Sequence, residues 1–499
     1  MAHRPTKPWN TTARSRAEVH GCRWTTPVNA NPLILALDLG STFFKAALFA
    51  PDGRRVAEES VPVPYSRRDG VHVELDPEEI WQSAAALIRK TCRAVGVGPE
   101  SAGCISIASQ AQTFTLTDAS GKARMPFLSW LDKRAQAESA ELTAALGADF
   151  HRHTSVPSPL PDLQIARLLW VRRHQPKVWG DATCVMPLPS FIAQRLAGVW
   201  ITDRNLAAMS GLYSIPRNDW WTEALSAVGL STGQLPKLVN TGEMIPACAP
   251  SPELKLSPDV KLVLAGNDQT AGAYGNGAHA GAWVVTLGTA LVAYRHAGAR
   301  PGPFGARSFW GPYPGGGHYE LAVRSEGCAA LDWARAQLMP SSTVEEFHRL
   351  AAAAAADPFA HRSDPNARPR FYPAAMGSPL AWAAKGEPGA TALAVLEGIG
   401  YSLRQLIFED LRADVPPARL RAIGGGSRNP AWLQILADIL ACPVARGCAD
   451  GLDGAWAMAS RRQKDEAGSE SPLMPDPVRV EFHRRMYRRW TDGAPPPKT

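Results

Sequence analysis

Residues 33–39 read Leu-Ile-Leu-Ala-Leu-Asp-Leu, apolar at all but one position, and end at the polar turn Gly40-Ser41-Thr42. A short apolar run closed by a turn predicts a buried strand. A second strand is expected over 43–49, Asp52-Gly53 signals a hairpin turn, and 55–62 returns as a third strand. Asp76-Pro77-Glu78-Glu79 then opens a helix, with Asp as the cap, Pro in the first position and acids in the first turn. A strand over 103–109 follows. The same pattern restarts at Lys261, where Lys-Leu-Val-Leu-Ala-Gly predicts a short strand ending in the polar turn Asn267-Asp268-Gln269. Trp283 to Tyr294 follows, and its Thr286-Leu287-Gly288-Thr289 repeats Asp38-Leu39-Gly40-Ser41 about 250 residues later. Two copies of a strand, turn and strand predict a duplicated architecture, with a small-molecule cleft expected between the halves. Further on, Leu396, Ile399, Leu403 and Leu406 share one face of a helix expected over 393–412. Asn429-Pro430 caps another, whose face carries Trp432, Leu436, Ile439 and Leu440.

A chain of 499 residues is too long for one core, so two or more domains are expected. Its net charge of +7 suggests nucleic acid until the charge is located. Residues 1–30 hold Arg4, Lys7, Arg14, Arg16 and Arg23 against Glu18 alone, leaving only +3 for the remainder. No basic run is interleaved with aromatics, so no nucleic-acid partner is expected. No apolar run reaches the roughly 18–20 residues that span a bilayer, so no membrane partner is expected either. The eight cysteines form no Cys-x-x-Cys pair and read as buried free thiols, which places the protein in the cytoplasm. The first thirty residues lack the apolar core of a signal peptide and read as a disordered extension.

Five segments carry candidate chemistry. The turn after Asp38 offers an acid, a glycine and the hydroxyls of Ser41 and Thr42, with Lys45 on the next strand. A plain hairpin would carry the same residues, but the copy at Thr286, Gly288 and Thr289 adds a second hydroxyl-rich turn able to grip a polyphosphate. Gly424-Gly425-Gly426-Ser427-Arg428-Asn429 joins a strand to a capped helix, where glycines admit a ligand to the backbone and the helix start favours anions. A flexible loop is the alternative. Asp268 ends an apolar strand and is placed to accept a hydroxyl proton, or simply to cap a helix. Gln110, Gln112, Trp130 and Asp132 combine amides, a carboxylate and an aromatic ring, which suits a polyhydroxylated ligand and equally a polar surface beside a core Trp.

In this order and spacing the segments resemble the FGGY family of carbohydrate kinases. The points of likeness are Asp38-Leu-Gly-Ser-Thr42, Trp130-x-Asp132-x-Arg134, Ala265-Gly-Asn-Asp-Gln269, Leu287-Gly-Thr289, Leu396-Glu-Gly-Ile399 and Gly424-Gly-Gly-Ser-Arg-Asn429. The resemblance covers residues 32 to 490 and implies an α/β fold of two ribonuclease H-like domains, as in actin-like ATPases, with mixed sheets flanked by helices. The expected boundaries are 1–31 for the extension, 32–258 for a sugar-binding domain, 259–490 for an ATP-binding domain and 491–499 for a disordered tail. The implied activity is transfer of a phosphoryl group from ATP, with Mg²⁺, to a hydroxyl of a ketopentose or related polyol. Asp268 matches the general base and Asp38 the residue that holds the metal. Gly40, Ser41, Thr42, Lys45, Thr286, Gly288, Thr289, Gly425, Gly426 and Asn429 match the ATP contacts. Gln110, Gln112, Trp130, Asp132, Asp268 and Gln269 fall on the sugar side. A homodimer is the assembly the family suggests.

Three departures qualify the match. Xylulokinase-like members usually read Gln-Met-His-Gly where this chain has Gln110-Ala-Gln112-Thr, so a substrate-touching His becomes Gln112. The Arg-Glu that glycerol kinases carry after that Gln is absent. The segment after Phe371-Tyr372-Pro373 lacks the family's Gly-Glu-Arg-x-Pro stretch. Two other readings of the same fold are a sugar-binding regulator without turnover and an ATP-driven switch such as a chaperone. Intact Asp38 and Asp268 speak against the first, and the Trp130 to Arg134 element against the second.

Overall fold

The computed structural model describes residues 33–299, 307–356, 368–383, 386–462 and 471–494. The expected extension 1–31 and residues 495–499 of the expected tail lie outside these. Residues 491 and 492, assigned above to the tail, end the last helix, Pro477–Asp492.

The chain forms two units. The first holds residues 33–275 together with 310–318 and 449–462. Its main sheet runs in the order Met244–Pro246, Lys261–Asn267, Ala102–Ser109, Leu33–Leu39, Phe43–Phe49, Arg55–Pro62. The hairpin at Asp52-Gly53 forms as its sequence predicts, with Gly53 at φ +89 and Asp52 accepting from the Arg54 N–H. Leu33–Leu39 pairs antiparallel with Phe43–Phe49 and parallel with Ala102–Ser109, which in turn pairs parallel with Lys261–Asn267. Alternation along the first strand sends Leu35, Leu37 and Leu39 into one core and Ile34 and Ala36 into another. Helix Pro77–Arg93, capped by Asp76 through the Glu78 and Glu79 N–H groups, and helix Leu188–Ala197 cover the first face. The second face is covered by helix Gly451–Ser460, through Leu452, Trp456 and Met458. A second, antiparallel sheet of this unit orders Tyr65–Arg68, Val73–Leu75, Phe127–Leu128, Phe114–Thr117 and Cys184–Pro187.

The strand Lys261–Asn267, expected to start the second domain, completes the first unit's sheet instead. The expected turn at Asn267 to Gln269 is the start of a helix, Asp268–Gly275.

The second unit holds the described residues of 276–309 and 319–448 together with 471–494. Its sheet repeats the first unit's connectivity: Trp283–Leu287 pairs antiparallel with Leu291–Gly298 and parallel with Leu420–Ile423, which pairs parallel with Val444–Arg446. This is the duplication read from the Leu-Gly-Ser/Thr turns. Helices Pro388–Gln405, Pro430–Leu440 and Cys328–Leu338 close its core around Leu396, Trp432 and Leu436. The helix expected over 393–412 starts earlier and ends in a π turn, Leu406–Asp410.

Candidate active site

In the first unit Asp38 sits one residue from the end of its strand, opposite Lys45 across the antiparallel pair. The two-residue period puts it on the face of Ile34 and Ala36, beyond the apolar cover of helix Gly451–Ser460. That helix begins with a glycine, and a Cβ at Gly451 would lie 3.0 Å from Asp38 Oδ2. Lys45 Nζ is 4.0 Å from the same oxygen. Asp38 Oδ1 is buried and has no hydrogen-bond partner among the described residues. Burial first, and then the neighbouring charge of Asp268, push the Asp38 carboxyl up to about 7; Lys45 pulls it back and Asp450 adds to the rise.

Asp268 is the first residue of its helix and accepts from the Gln269 N–H at 2.8 Å. Burial raises its pKa, against that hydrogen bond and Lys45. Its placement depends on a residue the sequence did not single out. Buried Asn205 accepts from the Asn267 N–H at 2.9 Å and donates to Thr270 Oγ1 and Pro312 O, each at 3.0 Å. Gly266, at φ +76, passes so close that a Cβ there would meet Asn205 Oδ1 at 2.9 Å.

The turn Gly40 to Thr42 leaves Thr42 exposed and Ser41 half-buried. Gly40 is required by the tight turn, since a Cβ would meet Phe43 O at 2.9 Å. Gln110 is committed to this turn: its Nε2 donates to Gly40 O at 2.9 Å and its Oε1 accepts from Thr113 Oγ1 at 3.0 Å. Asp132 is likewise satisfied internally, by the Val73 N–H and by Arg134 through Nε at 2.8 Å and Nη2 at 2.7 Å. Gln112 adopts φ +65 with its Oε1 buried and unpartnered among the described residues, and Trp130 keeps 38% of its surface exposed.

Asp450 and Arg55 were also missed. Arg55 donates to Asp450 Oδ1 at 2.8 Å and pairs with Asp453, and although burial opposes it this guanidinium holds Asp450 below its ordinary pKa. No local signal joins positions 395 residues apart.

In the second unit the turn after Trp283–Leu287 is held by the next helix: Gly288 O accepts from the Cys328 N–H at 2.7 Å and Thr289 O from the Gly327 N–H at 3.1 Å. Thr289 is exposed, and Thr286 and Gly288 are half-buried. The glycine triplet packs onto this turn. Gly424, at φ +87, would bring a Cβ within 2.7 Å of Leu287 O, and Gly426 is pressed against Trp432. Gly424 and Gly425 are exposed, and Gly425 has open space where a side chain would be. Asn429 caps the following helix through its Oδ1, leaving a buried Nδ2 donor unpartnered among the described residues. The structure thus gathers Asp38, Lys45 and Asp268 in one unit, and Thr286, Gly288, Thr289, Gly425, Gly426 and Asn429 in the other.

Two observations bear on the groups such a site would hold. The unpartnered Asp38 Oδ1 is a hard oxygen in negatively charged surroundings, which fits a magnesium ion held by one or two carboxylates plus phosphate oxygens. No set of three or more His, Cys, Asp or Glu side chains among the described residues would hold a metal by itself. The Asn429 amide donor beside an open glycine fits the polar edge of a nucleotide.

Residues 33–275 match the N-terminal domain, and residues 283–452 the C-terminal domain, of the FGGY family of carbohydrate kinases. The xylulose kinase of Escherichia coli K12 is 29% identical over 422 residues, covering 82% of this chain and 84% of that protein. The gluconokinase of Bacillus subtilis is 26% identical over 437 residues, covering 82% and 83%. Among solved structures, the xylulose kinase from Rhodospirillum rubrum has a TM-score of 0.80 at 23% identity, over 92% of this chain and 98% of that one. This likeness shows the fold, the actin-like ATPase architecture that the resemblance implied. With a family domain matched in each half, the chain belongs to the FGGY family of carbohydrate kinases and is a sugar-phosphorylating enzyme.

Proposed function

We propose that this enzyme transfers the terminal phosphoryl group of ATP to a hydroxyl of a ketopentose or a related polyol, with Asp268 as general base. The observation that carries the reading is the pairing of Asp268 with Asp38 in one unit, each carboxyl raised by burial and facing the same lysine. A base must be ionised to accept a proton, and its strength rises with its pKa. Burial raises the Asp268 carboxyl, which makes it a stronger acceptor than an exposed carboxylate, while the Gln269 N–H and Lys45 favour its ionised form. Asn205 fixes the strand-to-helix junction, so the carboxylate does not reorient as the hydroxyl binds. Asp38 would hold the magnesium ion of Mg-ATP, which supplies charge neutralisation at the phosphates. Gly40, Ser41, Thr42 and Lys45 offer backbone, hydroxyl and ammonium donors to phosphate oxygens, and Thr286, Gly288 and Thr289 are a second such turn. Gly425, Gly426 and Asn429 suit the adenosine end. On the acceptor side Gln112, Trp130 and Gln269 present uncharged polar and aromatic contacts. The relatives' names include both xylulose and gluconate as acceptors.

The test is ADP release with Mg-ATP across ketopentoses, polyols and aldonates, run beside Asp268→Ala. Turnover with one class, reduced by about 10²–10⁴ in the variant, is the expected result. ATP hydrolysis indifferent to every acceptor would refute the reading.

A further inference from the structure

Arg167 lies on helix Gln164–His174 and is completely buried. A buried guanidinium usually needs a carboxylate partner, because an uncompensated charge in a protein interior costs several kcal/mol. Arg167 has no carboxylate within salt-bridge distance among the described residues; backbone carbonyls hold it directly, and Asp132 and Asp162 favour its charge from further off. Nη1 donates to Leu128 O at 2.9 Å and Ser129 O at 2.5 Å. Nη2 donates to Gln112 O at 2.7 Å and Asp162 O at 2.8 Å. The guanidinium also lies over the Phe114 ring, 5.4 Å from its centroid. Burial lowers its pKa to about 10, so it stays charged at neutral pH.

The segments it joins are the ones that carry the acceptor-side candidates. Gln112 O belongs to a peptide held at φ +65, a conformation that costs a non-glycine residue about 1–2 kcal/mol and needs outside support. Leu128 and Ser129 lead directly into Trp130. The two loops also meet through Thr113, whose Oγ1 accepts from the Trp130 N–H at 3.1 Å while donating to Gln110 Oε1. One planar fork therefore fixes the backbone of both Gln112 and Trp130. Neither loop carries a residue proposed to touch the nucleotide.

We propose that Arg167 is a positioning residue for acceptor binding: it holds the Gln112 and Trp130 loops in the sugar-competent arrangement without touching the sugar. The inference rests on the acceptor site proposed above. It separates two Michaelis constants, which a purely structural arginine would not do. A lysine at 167 has a single ammonium in place of a planar fork and cannot hold three segments at once.

The measurement is steady-state kinetics of the full chain with the acceptor that the native enzyme turns over best. In Arg167→Lys, KM for the acceptor should rise about tenfold or more while KM for ATP stays within about twofold. If that variant does not fold, Phe114→Leu keeps the four carbonyl bonds but removes the ring beneath them, and should raise the acceptor KM alone by about threefold. An unchanged acceptor KM in a folded variant, or equal rises in both constants, overturns the proposal. A native chain that phosphorylates no sugar refutes the proposed function instead, so the two failures are distinct.

Discussion

Asp203 shows how one buried carboxylate supports another that is far from it along the chain. It caps helix Arg204–Ala208, its Oδ1 accepting from the Asn205 N–H at 3.0 Å, the Leu206 N–H at 3.2 Å and Thr241 Oγ1 at 2.8 Å. Its Oδ2 is buried and unpartnered among the described residues. The cap fixes Asn205, and Asn205 fixes the strand end before Asp268. Burial raises the Asp203 pKa from 3.8 to about 6, so the folded chain holds this proton more tightly than the unfolded chain does. The associated stability is complete below about pH 4 and is lost as pH rises through about 6, on the order of 3 kcal/mol in all. Asp203→Asn keeps the accepting oxygen and never ionises. Relative to the native chain, the variant should therefore gain about 1–2 kcal/mol between pH 5 and pH 8. Thermal unfolding at the two pH values checks this; a Tm difference that does not change with pH would mean that Asp203 ionises alike in both states.

At the scale of elements, helix Gly451–Ser460 does more than cover a sheet. A Cβ on its Gly454 would fall 1.8 Å from Ala271 O, so this glycine sets how closely the helix approaches helix Asp268–Gly275, whose first residue is the proposed base. The obstruction is backbone and cannot swing aside. Gly454→Ala should cost about 3 kcal/mol or more in urea unfolding and lower kcat with it. Gly180→Ala, where nothing lies within 4 Å, should stay within about 0.5 kcal/mol and serves as the control. An innocuous Gly454→Ala would show that the two helices are not rigidly coupled. This helix was not legible in the sequence. Gly-Leu-Asp-Gly-Ala-Trp-Ala-Met-Ala-Ser is buried at eight of its ten positions, so it shows no polar face and no helical period. The strands at 33–39 and 43–49, the hairpin between 49 and 55 and the Asp76 and Asn429 caps were legible, because each rests on contacts a few residues apart. The Asp38, Asp268 and glycine-loop positions were visible as motifs. What closes around them was not: Arg55 with Asp450, Asn205 with Asn267 and Arg167 with Gln112 are long-range pairs with no local cause.

At the scale of the whole molecule, the chain leaves its first unit at residue 275 and returns to it at 310–318 and 449–462. The duplication was readable from two similar turns, but a sequence split near residue 258 assigns neither the strand Lys261–Asn267 nor the returning helix to the first unit. The return has an energetic reason. Ile34, Ala36, Phe49, Ala108 and Val263 form a sheet face whose cover is Leu452, Ala455, Trp456 and Met458. Phe49 and Trp456 stack at 5.8 Å between centroids, and loss of a buried Trp alone costs about 3–5 kcal/mol. A fragment of residues 33–275 leaves that face in water, so it should show no cooperative thermal transition and should bind a hydrophobic dye. The chain at Gly275 lies against the returning segment, since a Cβ there would be 3.0 Å from Ala449 Cβ. A short flexible linker can therefore join 275 to 449, and the fusion of 33–275 with 449–462 should regain a cooperative transition. If the fragment unfolded as cooperatively without the helix as with it, the first unit would be self-sufficient, and the return of the chain would serve only to bring Gly451 and Asp450 beside Asp38.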